Sequence, residues 1–454
     1  MGVLKMCQEF KSPLSTRARS ILEDFQASLE QGISKIGVLN DEEIHQAELE
    51  RIFGKSWNYL AHESEIPNKN DYVLRSIGDD TFIVNRGSDG EIRVLLDVCP
   101  HRGASICRAE KGSSSHFQCP YHGWTFKNNG DLVGTPSFKD AYSGLDRKEW
   151  GLTQAPRVEI FHGFVFATLD ENCPDLKESL AGMGWYLDMI FSLQDEGMEV
   201  LGEPQRFIIK SNWKIPAENF SGDDYHLMTL HKSTYDIGVM QIPLRENMKG
   251  YHIQAGNGHG ISFSIDLESK DPLFFYYPEE IVKTFNLDNL SEKQLELARG
   301  SRVCVGNIFP NISFLMLPLS PDPKNVPPTP LFTWRVWQPK GKDEIEVWNW
   351  FMMYKNTSEE FKRASYRSAM ASFGIAGTFE LDDAIPWETI TRNAKGTFAK
   401  KNMKLNLQMG MEGMGTAKQV MDWPFPGTAY YPRYEEGNQR HLYRHYLKEM
   451  LSEE

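Results

Sequence analysis

Two short stretches carry sulphur and imidazole at close spacing: "CPHRG" at 99–103 and "CPYHGW" at 119–124. They give Cys99-x-His101, seventeen residues, then Cys119-x-x-His122. Thiolate and neutral imidazole are metal ligands, and two objects accept this set. One is a structural zinc ion, held by two Cys and two His. The other is a [2Fe–2S] cluster with cysteines on one iron and histidines on its partner. A zinc finger draws its cysteines from one loop and its histidines from a helix. Here each loop offers one of each, which suits the two-iron object. Such a cluster only stores and passes electrons, so another part of the chain must use them.

That part stands further on. In "NWKIPAENFSGDDYHLMTLH", residues 212–231, His226 and His231 lie five apart. On a regular helix this spacing separates side chains by about 140°. Both can meet one metal only across a helix end, bulge or break. Glu218, Asn219, Asp223, Asp224 and Tyr225 crowd polar groups around them. Far downstream, "SFGIAGTFELDDAIPW" at 372–387 places Asp382 and Asp383 after an apolar, Gly-rich stretch. Two histidines and one carboxylate form the set that holds non-haem Fe(II) with positions open for oxygen. Either aspartate can supply the carboxylate.

The elements that must position these groups are mixed. The first fifty residues read as helix, with Asn40 or Asp41 as N-cap of "NDEEIHQAELERIF" and Ile44, Ala47, Ile52 and Phe53 on its apolar face. From residue 55 the period changes to two: "DYVLRSI", "TFIVNRG" and "EIRVLLDVC" predict strands around an "SDG" turn, and "GFVFATLD" closes a small β unit. Later, "FTWRVWQP" and "EIEVWNWFMMYK" predict paired strands. "SEEFKRASYRSAMASF" and "NQRHLYRHYLKEML" predict helices, and "LSPDPKNVPPTP" a loop. There is no internal repeat.

Composition narrows the partners. The 454 residues are 40% hydrophobic and 24% charged, ordinary globular material with a sizeable core. The net charge of −13, without a basic run, argues against nucleic acid and anionic membrane surfaces. No apolar run reaches the length of a membrane span. The opening "MGVLKMCQEFK" lacks a leader's apolar run and has Met6 where acylation wants Ser or Thr. Six cysteines do not make a disulfide framework. A cytoplasmic protein is expected. "GNGHG" at 256–260 is not a dinucleotide fingerprint, so electrons must come from other proteins.

The two loops, with Pro100, Gly103, Pro120, Gly123 and Trp124, resemble those of the Rieske family. Ala104 and Tyr121 stand where respiratory Rieske proteins carry a disulfide, which points to the oxygenase and ferredoxin branch. Cys107 and His116 read as a buried thiol and a loop histidine, and Arg102 as packing near the cluster. With the later motifs, nearly the whole chain resembles the large (α) subunits of Rieske non-haem iron aromatic-ring-hydroxylating dioxygenases of the naphthalene and biphenyl type. The resemblance implies an α+β fold: a small all-β Rieske domain (55–172) inserted in a catalytic domain with an antiparallel sheet and helices, helix-grip in style. Residues 1–54 would be the helical start of that catalytic domain, and 173–454 the rest. It implies a [2Fe–2S] cluster on Cys99, His101, Cys119 and His122, and one mononuclear Fe(II) on His226, His231 and Asp383, with Asp382 one register step away. Asp223 would link the iron site to His122 of a neighbouring subunit, Asn219 would stand close to iron, and Tyr225 would support them.

The matching pocket positions are Phe220, Leu227, Met228, Val303, Val305, Leu315, Leu317, Phe373 and Phe379, without Arg or Lys. An apolar, possibly polycyclic, aromatic substrate is therefore favoured, although Arg302 and Lys232 lie near in sequence. The implied reaction is cis-dihydroxylation with O₂ and electrons from NAD(P)H through a reductase, a ferredoxin or both. The implied assembly is a trimer with a small β subunit (α3β3), otherwise α3. A Rieske monooxygenase or demethylase, or a dioxygenase of an aromatic carboxylate, would share every ligand. An electron carrier with an inactive second domain and a zinc protein are the remaining alternatives.

Overall fold

The computed structural model describes residues 14–142, 144–241, 250–269 and 271–452. The segment behind the leader and acylation expectations, up to residue 11, lies outside them. Asp71–Ile77, Asp80–Arg86 and Ile92–Leu96 form the expected meander, and Lys111–Ser113 completes a four-stranded antiparallel sheet. His116–Gln118, Thr125–Lys127 and Leu132–Gly134 make a three-stranded sheet beside it. The Cys99 loop leaves the first sheet and the Cys119 loop is a hairpin end of the second. A further sheet of Arg157–Phe161, Phe164–Thr168 and Asn58–His62 joins this β unit to the rest.

The larger part is built on a ten-stranded sheet whose pairings are antiparallel. Its central strands, Ser301–Ile308, Ile312–Leu319, Thr329–Pro339 and Ile345–Tyr354, are covered on both faces and so read as near-continuous apolar runs. Alternation still sorts their side chains. Val303, Leu315, Leu317, Leu331, Trp337 and Phe351 enter one core, shared with the helices Lys214–Gly222, Glu359–Phe373 and Thr378–Asn393. Phe314, Met316, Phe332, Trp334, Trp350 and Met352 enter the other, with helix Leu176–Phe191. Tyr59 and Phe164 of the joining sheet meet Trp334 there, at ring separations of 5.5 and 4.7 Å.

The N-terminal stretch departs from the expected continuous helix. Helix Thr16–Leu29 ends before Gly32, where φ of +67° turns the chain, and Ile33–Lys35 pairs as a strand with Lys404–Asn406. Asp41 then caps Glu42–Glu48 by accepting from Glu43 N and Ile44 N, and the turns widen to a π-helix over Leu49–Phe53. The distant strand partner, invisible to local periodicity, overrides helix propensity here.

Glu48 fastens this segment beneath the helix Lys214–Gly222. It accepts from Lys214 Nζ at 2.5 Å, Trp213 Nε1 at 2.9 Å and Tyr446 OH at 2.6 Å, with no solvent exposure. Burial alone would raise its pKa, but the Lys214 ammonium, the His45 ring 3.9 Å away and the hydrogen bonds from Lys214 and Tyr446 bring it down to about 2. A lowered carboxylate pKa stabilises fully above the unfolded value of about 4.3 and is lost as pH falls through the folded one. Glu48→Gln strands the Lys214 charge and is expected to cost about 3–5 kcal/mol. The variant should also lose the part of the acid stability slope between about pH 4.3 and 2 that Glu48 contributes. Chemical denaturation across pH checks both.

Candidate metal centres

The two sulphur–imidazole loops are built alike. Gly103 N donates to Cys99 O at 2.8 Å and Gly123 N to Cys119 O at 3.0 Å. Each glycine turns back at positive φ, +75° and +72°, four residues after its cysteine. A side chain at that φ is strained, so both loops need glycine there. Cys99 N and Cys119 N return to Ala104 O and Trp124 O. Asp97 pins the far side of the first loop by accepting from Ile106 N at 3.0 Å and Cys107 N at 2.9 Å.

The loops bring all four predicted residues to one tip. Cys99 and Cys119 are buried free thiols. Burial raises the Cys99 pKa, and the adjacent Cys119 thiol pushes the same way. The rings of His101 and His122 stand 4.5 Å apart. His101 stacks on Trp124 at 5.0 Å, 5° from parallel, and its Nδ1 is buried without a hydrogen-bond partner among the described residues. An orphaned imidazole nitrogen beside two buried thiols costs free energy unless it coordinates something, so this donor set fits a [2Fe–2S] cluster. Cys107 is half-buried with its pKa pushed up to about 12 by burial and Asp97, and His116 is exposed on a strand. Neither joins the tip. Arg102 is exposed.

The second site forms at a helix break. Helix Lys214–Gly222 stops at Asp223 (φ −99°, ψ 53°), and a 3-10 turn over Asp224–Met228 carries His226. After Thr229 the chain restarts, with His231 as N-cap of Lys232–Asp236. The break places the His226 and His231 rings 5.0 Å apart. Helix Thr378–Asn393 supplies the acids. Asp383 Oδ1 lies 3.1 Å from His231 Nε2 and 3.7 Å from His226 Nε2. Asp382 instead meets the outer nitrogen, His231 Nδ1, at 3.2 Å. His226 Nδ1 is taken by the Asp223 carbonyl. Among the described residues, His226, His231 and Asp383 are the His/Cys/Asp/Glu group whose ligand atoms all lie within 4.8 Å of one another. Burial disfavours charge on His226, yet Asp223 and Asp383 outweigh it and raise its pKa to about 9. A site that pulls a proton onto imidazole this strongly is short of positive charge, and a divalent cation supplies it.

Asn219 Nδ2 donates to Asp223 Oδ2 at 3.1 Å and lies 3.4 Å from His226 Nδ1. Asp223 Oδ1 is buried with no hydrogen-bond partner among the described residues, and Tyr225 OH donates to Glu436 at 3.0 Å. A pocket opens beside the triad, lined by Phe220, Leu227, Met240, Val303, Val305, Leu315, Leu317, Phe373 and Phe379 with Asn219, Asp223 and Asp224. Met228, expected in this wall, is not part of it. The 3-10 turn points it outward, 43% exposed, where its Sδ accepts from Tyr434 OH at 3.8 Å. Met240 takes a place in the lining, and its local sequence gave no signal. Arg302 pairs with Asp266 at 2.9 Å and Lys232 with Asp236 at 2.7 Å, so neither lines the pocket.

Comparison with known proteins matches this architecture. Residues 56–153 match the Rieske [2Fe–2S] domain, and residues 182–452 the ring hydroxylating alpha subunit catalytic domain. The chain belongs to the Rieske ring-hydroxylating oxygenase α-subunit family, so its cofactors are a Rieske [2Fe–2S] cluster and a mononuclear iron. It is similar to an N,N-dimethyl phenylurea N-demethylase subunit alpha of Sphingobium sp. (strain YBL2), 38% identical over 94% of each chain. It is also similar to the large oxygenase component of a naphthalene 1,2-dioxygenase system of Pseudomonas aeruginosa, 35% identical over 89% of each. The crystal structure of naphthalene 1,2-dioxygenase from Rhodococcus sp. bound to indole superposes with a TM-score of 0.91 at 40% identity, covering 97% of this chain and 99% of that one.

The geometry separates the two neighbouring aspartates. Asp383→Ala is expected to abolish retention of the mononuclear iron while leaving the red-brown cluster intact. Asp382→Ala frees the outer nitrogen of His231 and should weaken metal binding by about 10–100-fold. Iron analysis and cluster absorbance on the same preparations check both. An empty site in the Asp382 variant alone would exchange the two roles.

Proposed function

We propose that the chain is a terminal oxygenase that adds both atoms of O₂ to an apolar aromatic ring. The observation that carries this reading is the pocket: Phe220, Phe373, Phe379 and aliphatic side chains, with no Lys or Arg among the described residues of the lining, open directly onto His226, His231 and Asp383. A carboxylate substrate would meet no cation there. The balanced reaction is arene plus O₂, two electrons and two protons giving a cis-dihydrodiol.

When bound, the cluster supplies electrons one at a time and the mononuclear iron supplies dioxygen activation. On this reading Cys99, Cys119, His101 and His122 hold the cluster, and His226, His231 and Asp383 the iron. The chain's other groups orient and exclude. Asp382 and the Asp223 carbonyl hold the outer nitrogens of His231 and His226, which turns both Nε2 atoms inward. The apolar walls keep water from the ring. Asp223 is the link to a neighbouring subunit's cluster, supported by its buried Oδ1, which has no partner among the described residues, and by the partly exposed His122. This needs a closed ring of subunits, for which a trimer with a small β subunit is proposed. Relatives named as alpha subunits or large components support a multi-subunit enzyme fed by a separate reductase or ferredoxin. Among the described residues no helix is long and apolar enough to cross a membrane, and the described cysteines are free, which supports a cytoplasmic setting. The domain division at 54/55 and 172/173 is kept, supported by the pairing of Ile33–Lys35 with Lys404–Asn406.

The demethylase relative favours a second reading: attack on an N-methyl group, with O₂, two electrons and two protons giving a secondary amine, formaldehyde and water. Reconstitution with a reductase, labelled O₂, and a panel of bicyclic arenes and N-methylated arylureas decides between them. A diol carrying two labelled oxygens is expected. Formaldehyde with no diol would replace dioxygenation by demethylation.

Asp223→Asn is expected to keep both metals and the assembly but lose most activity, because the bridging charge is gone. In a mixed ring, a His122→Ala chain and a His226→Ala chain, each inactive alone, should regain partial turnover. Purified mixed rings no more active than either parent would exclude the inter-subunit route.

A further inference from the structure

One charged side chain stands in the middle of the apolar strand Thr329–Pro339. Arg335 is fully buried, and its Nη1 donates to Glu380 Oε2 at 2.7 Å, with side-chain exposures of 0% and 3%. Its guanidinium carbon lies 5.3 Å from the Phe220 ring, 4.9 Å from Phe373 and 5.5 Å from Trp337. Arg335 Nε and Nη2 and Glu380 Oε1 have no hydrogen-bond partner among the described residues.

These contacts converge on the site. Phe220 belongs to the helix that carries Asn219, and Phe373 ends helix Glu359–Phe373. Glu380 stands one turn before Asp383 in Thr378–Asn393. A single guanidinium therefore touches two of the three aromatic side chains of the pocket, Phe220 and Phe373, and, through Glu380, the helix of the metal-facing carboxylate. A buried ion pair is seldom the most stable filling of such a space, since apolar side chains of similar volume are often as good or better. What it adds is fixed direction: a planar, forked cation holds its partners at set angles.

We infer that Arg335 is a specificity-determining positioning residue, which holds the Phe220 and Phe373 walls in register with Asp383 and so selects which ring carbons face the metal. The inference rests on the oxygenase reading above and adds the control of where oxygen enters.

The test replaces the pair by apolar groups, Arg335→Met with Glu380→Met, and compares it with Arg335→Lys and the wild type in the holoenzyme. Only folded protein with full cluster and iron content is assayed. On a bicyclic arene with several attackable positions, the double variant should shift the ratio of regioisomers by about fivefold or more. It should also release more hydrogen peroxide per O₂ consumed, because misplacement of about 1 Å is enough to spoil productive alignment. Arg335→Lys should fall between. A role in stability alone would lower the melting temperature and leave the isomer ratio of folded enzyme unchanged. An unchanged ratio and unchanged peroxide yield in the loaded double variant overturn the inference. If the wild type releases formaldehyde from N-methylated arylureas and oxidises no ring, the functional reading fails by itself. Arg335 is then judged on peroxide per O₂ with the arylurea, where an unchanged value overturns it.

Discussion

The helix Lys214–Gly222 must stop where it does. A helix running through to His231 would set the two histidines on different faces, and no local adjustment of side chains would reunite them. Gly222 permits the stop. Its φ is +150°, and a Cβ there would lie 3.1 Å from Asn438 Nδ2 and 3.2 Å from the His252 ring. The closeness has a purpose, because the chain that leaves the helix is fastened by the same neighbours. Asp224, next after the break, is buried against His252 Nε2 at 3.0 Å and also binds Ser262, while His252 Nδ1 meets Glu435 at 2.9 Å. Burial disfavours charge on His252, but the two carboxylates prevail and raise its pKa to about 9. The imidazolium thus cross-links the break to the C-terminal segment.

Around this break the site divides into two halves of opposite character. One half is acidic: Asp223, Asp382, Asp383, Glu218 and Glu436 surround two histidines. Glu218, buried and near Asp223 and Glu436, is pushed up to about 7 although the Tyr443 hydroxyl works against the shift. A cation between His226, His231 and Asp383 relieves this crowding, so metal binding and local order are coupled. The other half is apolar and aromatic, with the Phe373 and Phe379 rings 5.2 Å apart and tilted by 33°, and Phe379 reaching the His231 ring at 4.8 Å. Charge on one side and dryness on the other is what an oxidation of unactivated carbon requires.

The parts legible in the sequence were those whose chemistry is local. Cys99-x-His101 and Cys119-x-x-His122 announced a metal site, and the split of one thiol and one imidazole per loop favoured a two-iron cluster over zinc. The His226–His231 interval stated its own problem, and the structure answers it with a 3-10 turn and a fresh helix start. Pocket positions followed the family match until the 3-10 geometry turned Met228 out. Arg335 is the one charge inside "FTWRVWQP", a stretch legible only as a strand, and nothing local pointed to it or to Glu380. The broken N-terminal helix and the lining role of Met240 were unreadable for the same reason. Each is decided by a segment far along the chain.

The strands that form the pocket wall also set the position of the cluster domain. Because alternate residues face opposite ways, Leu315 and Leu317 meet substrate space while Phe314 and Met316 face the second core. On the next strand, Trp334 faces that core and receives Tyr59 and Phe164 from the sheet that anchors the Rieske unit, whereas its neighbour Arg335 faces the pocket helices. Charged contacts reinforce the junction at its rim: Arg75 pairs with Glu65 and lies 4.5 Å over Trp348, and Arg206 bonds Glu110 and Glu346. A core packed to this density transmits small shifts instead of absorbing them. Trp334 and Arg335, adjacent on one strand, thus serve the two sides of the sheet: one packs against the sheet that anchors the Rieske unit, the other against the pocket helices.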